Sequence, residues 1–140
     1  MHWKNRPVFV VRRAAEMLAA MQAPSHISRL VDPHSEKRQQ PRYAENWHRS
    51  IDPEYAVLLG VCTYCSCVPR YFAEQSAPDL SGGYICPCCA SRYDPAGRAH
   101  FGLAQYNLPV PPYELEGREI LIGKNAAGDD RFTLESVERI

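Results

Sequence analysis

The sequence predicts one strand-rich globular domain organised around a cysteine-bearing segment. A chain of 140 residues, 45% of them hydrophobic, closes one modest core rather than two. Short β-branched and aromatic runs outnumber the single stretch of strong helix formers. All six cysteines fall between positions 62 and 89.

Taken in chain order, residues 8–11 (VFVV) read as a strand closed by Arg12 and Arg13. Residues 14–21 (AAEMLAAM) read as a short helix that stops before Pro24, because the residue preceding a proline avoids the α region. Residues 25–53 are polar, carry prolines at 33, 41 and 53, and show no sustained period, which predicts a long surface loop with room for one helical turn. The apolar run 55–61 (YAVLLGV) predicts a strand buried on both faces that ends at the first cysteines. Gly82 and Gly83 lead into a short strand at Tyr84 and Ile85, which delivers the second cysteine group. The chain closes with strands at 119–122 (EILI) and 131–134 (RFTL), separated by a turn over 125–130.

Sixteen Lys/Arg balance sixteen Asp/Glu. Without a basic face to release counterions from phosphates, a nucleic-acid partner is not expected. No stretch reaches the ~20 apolar residues of a membrane span. Met1-His2-Trp3-Lys4 carries no charged leader followed by an apolar segment, so no signal or anchor is read and the chain is expected to be soluble as given. No Ser/His/Asp or Cys/His arrangement, phosphate loop or paired-carboxylate motif marks a catalytic residue.

Cys62, Cys65, Cys86 and Cys89 form C-x2-C-x20-C-x2-C, the pattern of a four-thiolate metal site. Each C-x2-C turn brings two sulfurs to one side of a tight loop, and two facing loops complete a tetrahedron around one metal or bracket a binuclear cluster. Cys67 and Cys88 are left over. The alternative is three disulfides, whose connectivity the spacing does not rank.

The run Gly60-Val61-Cys62-Thr63-Tyr64-Cys65-Ser66-Cys67-Val68-Pro69, followed by Gly82-Gly83-Tyr84-Ile85-Cys86-Pro87-Cys88-Cys89-Ala90-Ser91-Arg92-Tyr93-Asp94-Pro95, resembles the two cluster-binding boxes of Rieske iron–sulfur proteins. The match is nearest to the Rieske subunit of proteobacterial cytochrome bc complexes. Trp3 to Arg13, Asp32-Pro33-His34-Ser35-Glu36 and Asn107-Leu108-Pro109-Val110-Pro111-Pro112-Tyr113 share the likeness, which covers residues 3–123. The resemblance implies an all-β fold of stacked antiparallel sheets over residues 1–140, with a small cluster-binding subdomain at about 60–110 carrying two cysteine loops.

The family boxes read C-T-H-L-G-C and C-P-C-H-G-S. Carried over, Cys62 and Cys86 fall on cysteine ligands of the inner iron, and Cys67 and Cys88 on the disulfide that ties the loops. The histidine positions are Tyr64 and Cys89, the leucine is Cys65, the two glycines are Ser66 and Ala90, and the family's G-P-A-P loop is Gly102-Leu103-Ala104-Gln105. All five histidines (2, 26, 34, 48 and 100) lie outside the boxes. Ser91 and Tyr93 stand where the family places hydroxyls that hydrogen-bond the cluster and a cysteine sulfur.

The resemblance therefore implies an electron-transfer protein with a 2Fe-2S cluster on Cys62, Cys65, Cys86 and Cys89, Tyr64 being an extra ligand or a shield. Histidine ligation of one iron accompanies potentials of about −150 to +300 mV against about −400 mV for plant-type four-cysteine clusters, so a lowered potential is expected here. Quinol oxidation in the family uses a ligand histidine as proton acceptor, which puts a ubiquinol–cytochrome c reductase activity in question. The second reading is a redox-inactive module with a structural zinc or a mononuclear iron on the same cysteines, and the third a metal-free scaffold with oxidised cysteines. By resemblance the partners are the cytochrome b and cytochrome c1 subunits. The compartment is the periplasmic face of the inner membrane or the mitochondrial intermembrane side, where a disulfide persists.

Overall fold

A computed structural model describes residues 1–73, 82–126, 129 and 131–140. The architecture is all-β, three antiparallel sheets with two short helices. β1 (His2–Trp3), β2 (Arg6–Arg12) and β3 (Tyr55–Leu59) form the first sheet in that order. β4 (Arg70–Phe72), β5 (Gly83–Ile85), β6 (Arg92–Tyr93) and β7 (Ala99–Phe101) form the second, and β8 (Tyr113–Glu116) pairs with β9 (Glu119–Ile122).

β2 and β3 pair from Val8↔Leu59 to Arg12↔Tyr55. Residues 56–59 of β3 are all buried, as a run without polar alternation requires of a central strand. The first two sheets meet where the Phe9 ring stacks on Tyr84, with centroids 5.4 Å apart and planes 6° from parallel. Gly60 lets them approach, since a Cβ there would lie 2.6 Å from the Phe9 ring. Val8, Val57, Leu59, Tyr84, Leu108 and Tyr113 fill the shared core, which continues into Cys62 and Cys86. The cysteine loops thus leave directly from packed strands.

α1 (Ala15–Met21) occupies the expected place, its apolar side burying Met17 and Met21. The break at Pro24 is followed at once by α2 (Pro24–Ile27), because proline at the first helical position costs no hydrogen bond. The long polar segment is not a surface loop. Asp32, Ser35, Gln39, Gln40, Ala44, His48, Arg49 and Ser50 are all buried. Several of these side chains serve as internal hydrogen-bond partners: Asp32 accepts from the N–H groups of Glu36 and Lys37, and the Arg49 guanidinium donates to the Ala96 carbonyl and Gln40 Oε1. Polar composition here reflects a chain that satisfies its own backbone in the interior.

The C-terminal strand expected at 131–134 is also absent. Thr133 caps a 3-10 turn, Leu134–Ser136, through a reciprocal hydroxyl–backbone pair with Ser136, and this local bonding wins over strand pairing. Of the expected turn at 125–130, residues 127, 128 and 130 lie outside the described residues. Among the described residues no helix is long and apolar enough to cross a membrane.

Candidate metal centre

The two cysteine loops have the same backbone wiring. In the first, the Cys62 N–H donates to the Cys67 carbonyl and the Ser66 N–H donates back to the Cys62 carbonyl, at 2.8 and 2.9 Å. In the second, the Cys86 N–H donates to the Ser91 carbonyl and the Ala90 N–H to the Cys86 carbonyl, again at 2.8 and 2.9 Å. The residue after the second ligand cysteine is left-handed in both, with φ of 65° at Ser66 and 59° at Ala90. A side chain there costs about 1–2 kcal/mol relative to glycine, a strain both loops carry. The disulfide Cys67–Cys88 ties the loops across a separation of 21 residues, as the resemblance implied.

This wiring turns four free thiols toward one point. Cys62 and Cys86 are buried, Cys65 and Cys89 partly exposed. The sulfurs of Cys62 and Cys89 lie 3.7 Å apart, Cys65 and Cys86 3.3 Å, and Cys65 and Cys89 3.5 Å. All four lie within 4.8 Å of one another. Like charges this close do not coexist without a cation. Burial raises the Cys65 thiol, and the adjoining thiols push it further up, to about 12. Burial also acts upward on Cys89, but the Ser91 hydroxyl and backbone outweigh it and bring that thiol down to about 6. A soft divalent cation would supply the charge that the thiolates need.

Ser91 Oγ lies 3.2 Å from the Cys89 sulfur and accepts from the Ala104 N–H. The Tyr93 hydroxyl lies 3.3 Å from the Cys62 sulfur and accepts from the Thr63 N–H at 3.2 Å. Burial pushes the Tyr93 phenol well above its ordinary pKa, so it remains a proton donor toward sulfur at neutral pH. Tyr64 is 48% exposed and Leu103 57% exposed. His26 is buried against Asp94 and His48 against Ser50, so both are engaged away from the thiols.

Two supports were not legible in the sequence. Thr63 bonds Tyr93 and also donates from Oγ1 to the Tyr106 carbonyl at 2.7 Å, fastening the first loop to the segment after β7. Arg139 Nε donates to the Thr63 carbonyl at 3.1 Å. Gln39 holds Arg139 there, donating to its carbonyl and accepting from its N–H across 100 residues of sequence. Contacts that distant leave no local pattern.

Strand-delivered cysteine loops, tied by a disulfide and flanked by hydroxyls beside two sulfurs, define a four-thiol site of the class that could hold a soft metal. The chain is a homologue of the Rieske iron–sulfur subunits of ubiquinol–cytochrome c reductase. It is 45% identical over 129 residues to the iron–sulfur subunit of Allochromatium vinosum, covering 88% of this chain and 61% of the relative. It is 35% identical to that of Rickettsia felis, covering 86% and 61%, and 37% identical to the mitochondrial Rieske subunit of Chlorocebus aethiops, covering 86% and 38%. The chain thus spans about three-fifths of the bacterial relatives' length and less of the mitochondrial one. No protein-family model matches it.

Residues of this kind suit thiolate-bound iron or zinc. Their spacing does not suit the binuclear cluster. Two metal tetrahedra sharing a sulfide edge, with metal–sulfur bonds of about 2.3 Å, hold cysteine sulfurs on different metals at least roughly 5 Å apart. Four sulfurs within 4.8 Å leave no room for that arrangement.

Proposed function

We propose that this chain is the iron-bearing, electron-transferring part of a Rieske-type subunit, with iron held by Cys62, Cys65, Cys86 and Cys89 in a domain spanning residues 1–140. The observation that carries this reading is the ring of four thiols on disulfide-tied loops in a homologue of Rieske iron–sulfur subunits. The loops and the four-stranded sheet between them, about 60–110, are the metal-binding subdomain. Bound iron supplies a one-electron couple. Tyr93 and Ser91 aim hydroxyls at two of its sulfurs and favour the more negative, reduced state, while Tyr64 shields the exposed side. Thiolates in place of imidazoles add negative charge beside the iron and oppose that effect.

The partners in this reading are the cytochrome b and cytochrome c1 subunits of a bc complex. The compartment is oxidising, at the periplasmic face of the inner membrane or the mitochondrial intermembrane side, where Cys67–Cys88 persists. Quinol oxidation is not assigned to this chain, because among the described residues no histidine joins the four-thiol group as a proton acceptor. The second reading, a redox-inactive module with structural zinc, is favoured by the same tetrahedral thiol spacing.

Dye-mediated redox titration of iron-loaded protein tests the proposal. A reversible couple whose potential does not change between about pH 6 and 9 supports it, since no ligand imidazole titrates. Protein that takes up zinc but no redox-active iron rules it out in favour of the second reading.

A further inference from the structure

We infer that the four thiols form a site for a single metal ion, a mononuclear tetrathiolate centre in place of the binuclear cluster. The inference rests on the reading of these cysteines as metal ligands and fixes how many ions they hold. Around one ion with bonds of about 2.3 Å, a tetrahedron sets its corners about 3.8 Å apart. Three sulfur pairs, at 3.3, 3.5 and 3.7 Å, lie just inside that figure, and no pair exceeds 4.8 Å.

The backbone explains why the ring is this small. The matching hydrogen bonds of the two loops relate Cys62 to Cys86 and Cys65 to Cys89 by an approximate two-fold exchange. Under that exchange the cross pairs Cys62–Cys89 and Cys65–Cys86 are equivalent, as a tetrahedron centred between the loops requires. Position 89 carries a side chain that ends at Sγ, one bond beyond Cβ, so its donor atom stays close to the loop. The fourth donor comes from Cys65, on the same turn as Cys62, rather than from position 64, whose ring is 48% exposed. A second tight cysteine group, Cys65 and Cys86 with Cys67 and Cys88, is no rival site, because Cys67 and Cys88 spend their sulfurs on each other.

Binding is balanced simply: each thiol that becomes a ligand releases its proton to solvent, and a divalent ion with four thiolates carries a net charge of −2. The Tyr93 and Ser91 hydroxyls face part of that charge.

The experiment uses the full chain with its disulfide intact. Reconstitution with ferrous iron plus sulfide, and separately with cobalt(II) alone, is followed by metal and acid-labile sulfide analysis and X-ray absorption. The expected result is about one metal per chain, no labile sulfide, and a first shell of sulfur at about 2.3 Å with no metal neighbour. Cobalt should show tetrahedral ligand-field bands, and Cys65→Ser should lower its sulfur-to-metal absorption in proportion to three Co–S bonds instead of four. Two irons with two labile sulfides and a metal neighbour near ~2.7 Å, the distance across a shared sulfide edge, would overturn the inference while leaving the electron-transfer reading standing. One cobalt with no iron uptake supports a single-ion site and removes the electron-transfer reading. Protein that binds no metal at all overturns both.

Discussion

Asp94→Asn is the sharpest test of how the second cysteine loop is anchored. Asp94 follows Tyr93 directly and is fully buried. One carboxylate oxygen accepts the N–H groups of Ala96 and Arg98, and the other accepts His26 Nε2 at 2.9 Å and Arg98 Nε at 2.8 Å. Arg98 is itself 1% exposed and donates onward to the Met21 carbonyl, so the carboxylate joins α1, α2 and the turn after β6. Asparagine keeps the shape and one acceptor oxygen but removes the charge opposite a buried guanidinium. Stranding one member of a buried pair costs about 3–5 kcal/mol, and the retained oxygen puts the expected loss near 3. With a urea slope of about 1–3 kcal/mol per molar, the unfolding midpoint falls by about 1–3 M, read by circular dichroism. Replacing Arg98 by Met in the same chain should recover part of the loss, because no uncompensated charge then remains. A loss below about 1 kcal/mol, the cost of an exposed pair, would refute the assignment of Asp94 as the buried anchor.

Burial and the neighbouring Arg13 lower His48 to about 4, so the folded state holds it neutral where the unfolded chain, near 6.5, binds a proton. Stability is therefore full above about pH 6.5, falls by roughly 2 kcal/mol as pH drops toward 4, and levels below; an unchanged melting profile in His48→Gln would count against this. Cys67→Ser opens the disulfide across 21 residues and should cost about 2–4 kcal/mol in chemical denaturation, with the four free thiols still titratable. Gly83→Ala should destabilise by more than about 2 kcal/mol, since its backbone is at φ 134° and the new Cβ would lie 2.2 Å from the Tyr93 carbonyl; a stable variant with intact metal uptake would show that β5 and β6 can shift apart.

What the sequence disclosed and what it hid divide along physical lines. The clustered cysteines were visible because two tight turns fix their own spacing, and β2, β3, β9 and α1 because their apolar residues are contiguous. β4, β6 and β7 are two or three residues long, too short for any period, and exist only through pairing with β5 and one another. The segment 25–53 was misread because Gln39, Arg49 and Ser50 look like surface residues until their distant partners are known. The nuclearity of the site was open for a similar reason: C-x2-C spacing is compatible with one ion or two, and only the sulfur distances separate them.

The Cys67–Cys88 bond changes the metal centre from a meeting of two chelating arms into one preformed claw. With the arms joined just outside their ligands, loss of one arm's grip leaves that arm in place, at a local concentration in the millimolar range or higher, so it rebinds before the ion escapes. With the bond reduced, the arms would open separately, and an ion bound as proposed would leave through a half-released state. Retention of that ion would then follow the redox state of a bond that touches no metal.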